Sequence, residues 1–283
     1  MTDVRIETLR APKRDVVPVR HWGRLAGAAV VVLLLAWMVY GVATNPNFEW
    51  SVVGDYLFAG TVLKGLLLTL EMTAIAMVAA LVLAVVIGVM RMSPSRVISG
   101  VAAVWVFVFR GVPLIVLLIF IGNLGLFFKE FSLGIPFTDV TIWSKPVGEV
   151  VTPFVASVIG LSLAGSGYMA EIVRSGLLAV GVGQHETAKA LGLNRTRTLR
   201  YIVLPQALRV IIPPLGNEFI GMLKASAIVS VIAGGDLLTV VEGISGINFR
   251  TIEMLIVATI WYLLVIIIYS AAQFFLERRA AER

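Results

Sequence analysis

Cysteine is absent from all 283 residues, which excludes disulfides, thiolate nucleophiles and sulfur-ligated metals. Histidine is nearly absent: His21 and His185 stand far apart and do not supply the ligand set of a zinc site. Charge is scarce too, at 14% of the chain where soluble domains carry about 25%, so an ordinary soluble domain is excluded. A phosphate-binding loop is also missing. The pattern G-x-x-x-x-G-K-[ST] does not occur, and neither Gly165-x-Gly167 nor Gly181-x-Gly183 completes a dinucleotide fingerprint. Without a nucleophile–base pair or a metal-ligand cluster, an intramembrane enzyme is disfavoured. The chain is expected neither to hydrolyse ATP itself nor to carry a cofactor or metal.

Apolar residues are abundant, at 59% of the chain with a mean hydropathy of +0.95. A helix needs about 20 such residues to cross hydrocarbon. Runs of that length fall near residues 25–43, 64–90, 104–128, 151–172, 209–232 and 252–275, so six spans are expected. The first ends in Gly41-x-Ala43, like a signal-peptidase site, but an apolar core of about 19 residues exceeds the roughly 7–15 of a signal segment. It reads as an uncleaved anchor.

The net charge of +6 reports sidedness rather than nucleic-acid binding, because Lys and Arg accumulate in cytoplasmic loops. Arg5, Arg10, Lys13, Arg14, Arg20 and Arg24 in the head, Arg91 and Arg96, the stretch from Arg174 to Arg209, and Arg278, Arg279 and Arg283 fall on one side of a six-span chain. Lys64, Lys129, Lys145 and Arg250 fall on the other. Both termini are therefore expected in the cytoplasm of a cell whose inner membrane holds the protein. Residues 44–62 and 129–150 carry Trp50, Tyr56, Phe58, Phe131, Phe137 and Trp143, as expected of anchors at an outer interface. Neither segment is long enough for a globular domain, so capture of a solute outside falls to another chain.

The segment from Val97 to Phe128 would make about 48 Å of helix against about 30 Å of hydrocarbon. It must tilt, lie along the interface or break, and FRGVP (109–113) offers the break through Gly111 and Pro113. Two readings of Arg110 stay open: it faces protein or water within the membrane, or it reaches back to the cytoplasmic headgroups.

The basic stretch between the fourth and fifth runs is organised. GQHETAKAL is rich in helix formers, Gly192 is a natural stop, and Asn194 is a good N-cap for a second helix, RTRTLRYIVL, which Pro205 is expected to interrupt. Ala188 and Leu191 share one face of the first helix; Leu199, Ile202 and Val203 form a stripe on the second. Such a knob suits a groove on a soluble partner, or else serves topology alone. The sequon at Asn194 is read as a chance match.

This stretch resembles the E-A-A-x(3)-G-x(9)-I-x-L-P signature of ABC importer permeases, through Glu186, Thr187, Ala188, Gly192, Ile202, Leu204 and Pro205. Thr187 replaces the usual second Ala. GLLLTLEMT (65–73), FRGVP, GYMAEIVRSG (167–176), LPQALRVIIPPLGNEFIGMLK (204–224) and IVSVIAGGDLL (228–238) are similar, in order and spacing, to permeases for polar amino acids. Leu117, Ala225 and Val112 depart from that pattern and leave the particular solute open. The resemblance implies an all-α integral membrane protein of the MetI-like ABC type I importer permease fold, with about six spans. It also implies a coupling loop (183–206) that docks on an ATPase subunit, which binds ATP and Mg, with Glu186 near the contact and Gly192 at the turn. A solute-binding protein outside and a second permease, identical or homologous, would complete the assembly. Residues 1–24 would be a basic head, 25–59 an extra span and outer loop, 60–275 the permease domain, and 276–283 a cytoplasmic tail.

Polar residues within spans mark candidate solute contacts: Glu71, Arg110, Asn217, Glu218 and Lys224, with Glu171 and Arg174 at the end of the fourth span. An amino-acid zwitterion needs a cation for its carboxylate and an acceptor for its ammonium, which Arg110 or Lys224 with Glu71 or Glu218 would supply. The same charges would alternatively pair with each other or with a second permease and hold the fold. Pro213-Pro214 removes two backbone donors from the fifth span, tolerable beside protein or a wet cavity. Gly165, Ser166 and Gly167 are expected to allow close helix packing. An ion-coupled secondary transporter is the alternative, but the surroundings of its two candidate breaks, near Pro113 and at Pro213-Pro214, do not match as inverted repeats would.

Overall fold

The computed structural model describes residues 22–134 and 141–281. The basic residues before Trp22, together with Phe137 and Arg283, lie outside the described residues. The chain divides into two units, residues 1–48 and 49–283, each described by itself. In the first, α1 (Trp22–Ala43) is apolar around its whole circumference and long enough to span a bilayer.

The second unit opens with a short helix, α2 (Trp50–Leu57), and the long α3 (Gly60–Arg91). Then come α4 (Arg96–Gly111) and α5 (Leu114–Gly122), bent by 98° at Val112–Pro113. The expected break is therefore real: Pro113 denies α4 its next donor, and the chain turns before a new helix begins. A hairpin of β1 (Glu130–Gly134) and β2 (Thr141–Pro146) follows, paired antiparallel with Phe131 opposite Lys145. This small hairpin sits in an otherwise helical chain, as the all-α expectation has it. The segment is too short for a span, and its residues pair backbone to backbone instead. A single turn, α6 (Val147–Val150), leads to α7 (Pro153–Leu178), whose Thr152 accepts the Val155 amide at 3.3 Å as N-cap.

Next are α8 (Val182–Ala190), α9 (Arg195–Thr198) and one π turn over 199–203, which runs directly into α10 (Leu204–Ala225). Pro205 does not interrupt the helix as expected. It sits in the first turn of α10, and the wider π turn before it accommodates the missing donor. Pro213 and Pro214 likewise lie inside α10. A 3-10 helix over 226–232 extends α10 outward, then Ala233 and Gly235 take left-handed backbone (φ 53° and 83°) before α11 (Leu237–Asn248). The last helix is α12 (Thr251–Ala281). Counting the bent α4–α5 pair as one, six spans stand among the described residues.

The core forms where small residues let helices touch. Ala76, Ala80 and Ala84 of α3 are fully buried against α7, along with Met72, Met169 and Ala170. A Cβ added at Gly165 would stand 2.6 Å from Met222 Cε of α10 and 3.3 Å from Ala80 Cβ, so three helices meet there. Ser166 accepts the Trp105 indole N–H at 3.0 Å and donates to the Leu163 carbonyl at 2.7 Å. The expected packing role of Gly165, Ser166 and Gly167 is what the structure has. A second cluster joins α2, α3, α11 and α12 through Val53, Val62, Leu237, Val241, Met254 and Val257. Arg250 pairs there with Glu49, whose amide donates to Glu253 at 3.1 Å. Asp236 is fully buried and caps α11 through the Leu238 and Thr239 amides, while the Leu237 amide donates to Thr69 of α3 at 2.8 Å.

Candidate functional site

Arg110 lies in the last turn of α4, next to its final residue Gly111. Its backbone lies against Gly167, near the middle of α7: a Cβ there would stand 3.3 Å from the Arg110 nitrogen and 3.0 Å from its Cγ. Arg110 is itself exposed, and both readings of it stay open. The guanidinium carbon lies 5.2 Å from the centre of the Tyr168 ring, within cation–π range, and the Tyr168 hydroxyl lies 3.5 Å from the Arg110 carbonyl.

A cavity of about 560 Å³ opens between α4 and α7, lined by Arg91, Phe107, Arg110, Tyr168 and Glu171 among others. Glu171 is shared by two guanidinium groups: Arg174 at 2.8 Å and Arg91, from the end of α3, at 3.4 Å. Arg110 lines the same cavity. Glu218 of α10 is half-buried and near enough for the Arg110 charge to act on its carboxylate. Asn217 is exposed one position before it.

The other two candidates stand apart. Glu71 is exposed on α3, and Lys224 is exposed in the last turn of α10; neither lines this cavity. Of the predicted solute contacts, Arg110 lines this cavity, whereas Glu71, Asn217, Glu218 and Lys224 do not. Glu171 replaces Glu71 as the acid of the cavity. Its signal in the sequence was the Glu171–Arg174 spacing of three, which puts both on one helix face, with Arg91 ending another span.

The basic stretch forms a compact turn. Gly192 has φ +70°, its amide donates to the Lys189 carbonyl and the Leu193 amide to Ala188, both at 3.0 Å, which is a Schellman closure of α8. Asn194 Oδ1 accepts the Arg197 amide at 2.9 Å and starts the next helix, so that side chain serves as a cap. Ala188 is buried, Glu186 and Thr187 are exposed, and Leu191 is 71% exposed rather than packed beside Ala188, because the helix ends at it. Val203 is buried with Val180, Ala207 and Ile211, Ile202 is half-buried, and Leu204 and Pro205 are exposed. Val203 and Ala207 fix the loop to the ends of α7 and α10. Arg195, Arg197 and Arg200 remain exposed. Arg174 and Arg209, expected in the connection, lie instead within α7 and α10.

Residues 80–282 match the family described as the binding-protein-dependent transport system inner membrane component. This chain belongs to that family. It is the permease subunit of an ABC importer, an inner-membrane component rather than an enzyme. The arginine transport system permease ArgU of Corynebacterium glutamicum is 40% identical over 262 residues, 92% of this permease and 81% of the relative. The glutamine transport system permease GlnP of Escherichia coli is 31% identical over 233 residues, 82% and 98% of the two chains. Among solved structures, an amino acid ABC transporter crystallised with histidines superposes with a TM-score of 0.69 at 35% identity, covering 82% of this permease and 99% of that chain. The MetNI methionine ABC transporter in an inward-facing form gives 0.59 at 19% identity, covering 77% and 95%, a likeness of fold alone.

Proposed function

We propose that this permease carries a polar amino acid inward, using the Arg110 cavity as the solute-selective part of its path. The observation that carries the reading is one cavity that holds Arg110, beside the middle of α7, together with the Glu171 carboxylate and the aromatic face of Tyr168. Arg110 would take the carboxylate of a zwitterion by a charge-assisted, bidentate pair. Glu218, or Glu171 when released from one of its two arginines, would take the ammonium. Asn217 lines the approach; Glu71 and Lys224 are assigned contacts with a second permease or with solute further along the path. The named substrates of the relatives, arginine and glutamine, agree with a polar amino acid.

The coupling loop of Glu186, Thr187, Ala188, Gly192, Ile202, Leu204 and Pro205 would dock on an ATPase subunit, which supplies ATP and Mg chemistry. An extracytoplasmic binding protein would deliver solute, and a second permease copy or homologue would complete the pathway. Both termini would be cytoplasmic, with residues 1–24 as a basic head and 25–59 as an extra span and outer loop. Residues 60–275 would be the permease domain and 276–283 the tail. The test is ATP-driven uptake by the reconstituted assembly with its binding protein. Arg110→Gln should lower uptake at least about tenfold, the effect of removing one hydrogen bond to a charged group, while ATPase association is retained. Unchanged uptake, or uptake driven by an ion gradient without the ATPase, would refute the reading.

A further inference from the structure

A second cavity, of about 1260 Å³, lies between the coupling loop and the ends of the spans. One wall is the close of α3 and start of α4 (Val89, Met90, Met92, Ser93, Ile98), another the close of α7 (Leu177, Leu178, Val180), and the third the loop itself. Its size exceeds the roughly 300–1,000 Å³ of an ordinary small-molecule pocket, and its floor is aliphatic, so ordered water does not account for it. The polar lining is one-sided in charge. Lys189 and Arg195 line it with His185, and no acid does.

α8 gives one face to the cavity. Val182, His185 and Lys189, spaced three and four apart, line the cavity. Glu186 and Ala190 lie on the side of the helix opposite buried Ala188 and are exposed. Because α3 and α7 are spanning helices, the cavity at their ends sits at headgroup level, and its aliphatic floor faces the same depth as acyl chains.

We infer that this cavity holds an anionic phospholipid, one acyl chain along Val89, Leu178 and Leu199 and the phosphate held by Lys189 and Arg195. Basic pockets between spanning helices on the cytoplasmic side suit such headgroups. Since spans and loop each supply a wall, the lipid ties the loop's orientation to α3 and α7.

The experiment is native mass spectrometry of the assembled transporter in mild detergent, titrated with phosphatidylglycerol or phosphatidylcholine. Retention of phosphatidylglycerol, about tenfold preferred over phosphatidylcholine, is expected. Lys189→Gln with Arg195→Gln should abolish the preference while leaving some lipid bound. Leu178→Trp, which fills the aliphatic floor, should lose both lipids. Arg197→Gln with Arg200→Gln removes the same charge from loop residues outside the cavity and should change nothing in lipid retention. Equal binding of the two lipids, or loss of preference in the Arg197/Arg200 pair as well, overturns the inference. Because the chain has no native cysteine, Ser93→Cys carries a single photocrosslinker. Crosslinking to lipid supports the site, and crosslinking to the ATPase overturns it.

Discussion

At Arg110 the chain carries a guanidinium into a span, where an unpartnered arginine costs about 2.5–3.5 kcal/mol at the membrane centre. Gly167 makes this tolerable by leaving room for α4 to lie against α7. Gly167→Val should push the Arg110 backbone outward and lower uptake by at least about tenfold, since displacements near 1 Å in a positioned group cost about a hundredfold. Membrane levels should stay normal, and uptake per assembled complex is the measurement. Glu171→Gln should cost about 1–3 kcal/mol through the hydrogen bonds to charged groups it weakens, read as a lower melting temperature of the purified assembly. Residue types were legible in the sequence, and their grouping was not. Glu71 and Glu171 are equally conspicuous as acids in apolar runs; only packing decides that one lines the Arg110 cavity and the other does not.

Long, uniformly apolar helices and strong punctuation were the legible elements. Gly111 with Pro113 broke the third span, and Gly192 with Asn194 made the coupling turn, because each residue changes what the local backbone can do. Pro205 misled, since a π turn widens the helix in front of it, and nothing in single-residue preference encodes that register. Deleting Arg200 should convert the π turn to ordinary helix and rotate the loop relative to α10 by about 100°. The variant should still insert, but binding-protein stimulation of ATP hydrolysis should fall toward the basal rate. The proline pair in α10 has its own support: Gln273 of α12 donates to the Pro213 carbonyl at 3.3 Å and to Glu277 at 2.7 Å, and its amide fills the space beside Gly216. Gln273→Leu should cost about 1 kcal/mol, near the value of an interhelical hydrogen bond in a membrane, measured by thermal unfolding in detergent.

For the whole molecule, the distribution of Lys and Arg implies an orientation that a pair of fusions tests. A fluorescent protein after Arg283 should fold in the cytoplasm and glow, and alkaline phosphatase inserted in the β1–β2 hairpin should be active outside. The opposite pattern would invert the proposed sidedness and put the coupling loop out of reach of a cytoplasmic ATPase. The bent third span has one more effect. A helix that stops inside the bilayer leaves its last carbonyls there, carrying the negative end of the helix dipole, equivalent to roughly half an elementary charge. Arg110 stands in that last turn. The break that shortens α4 thus also supplies a partial counter-charge, which offsets part of the cost of placing the guanidinium there.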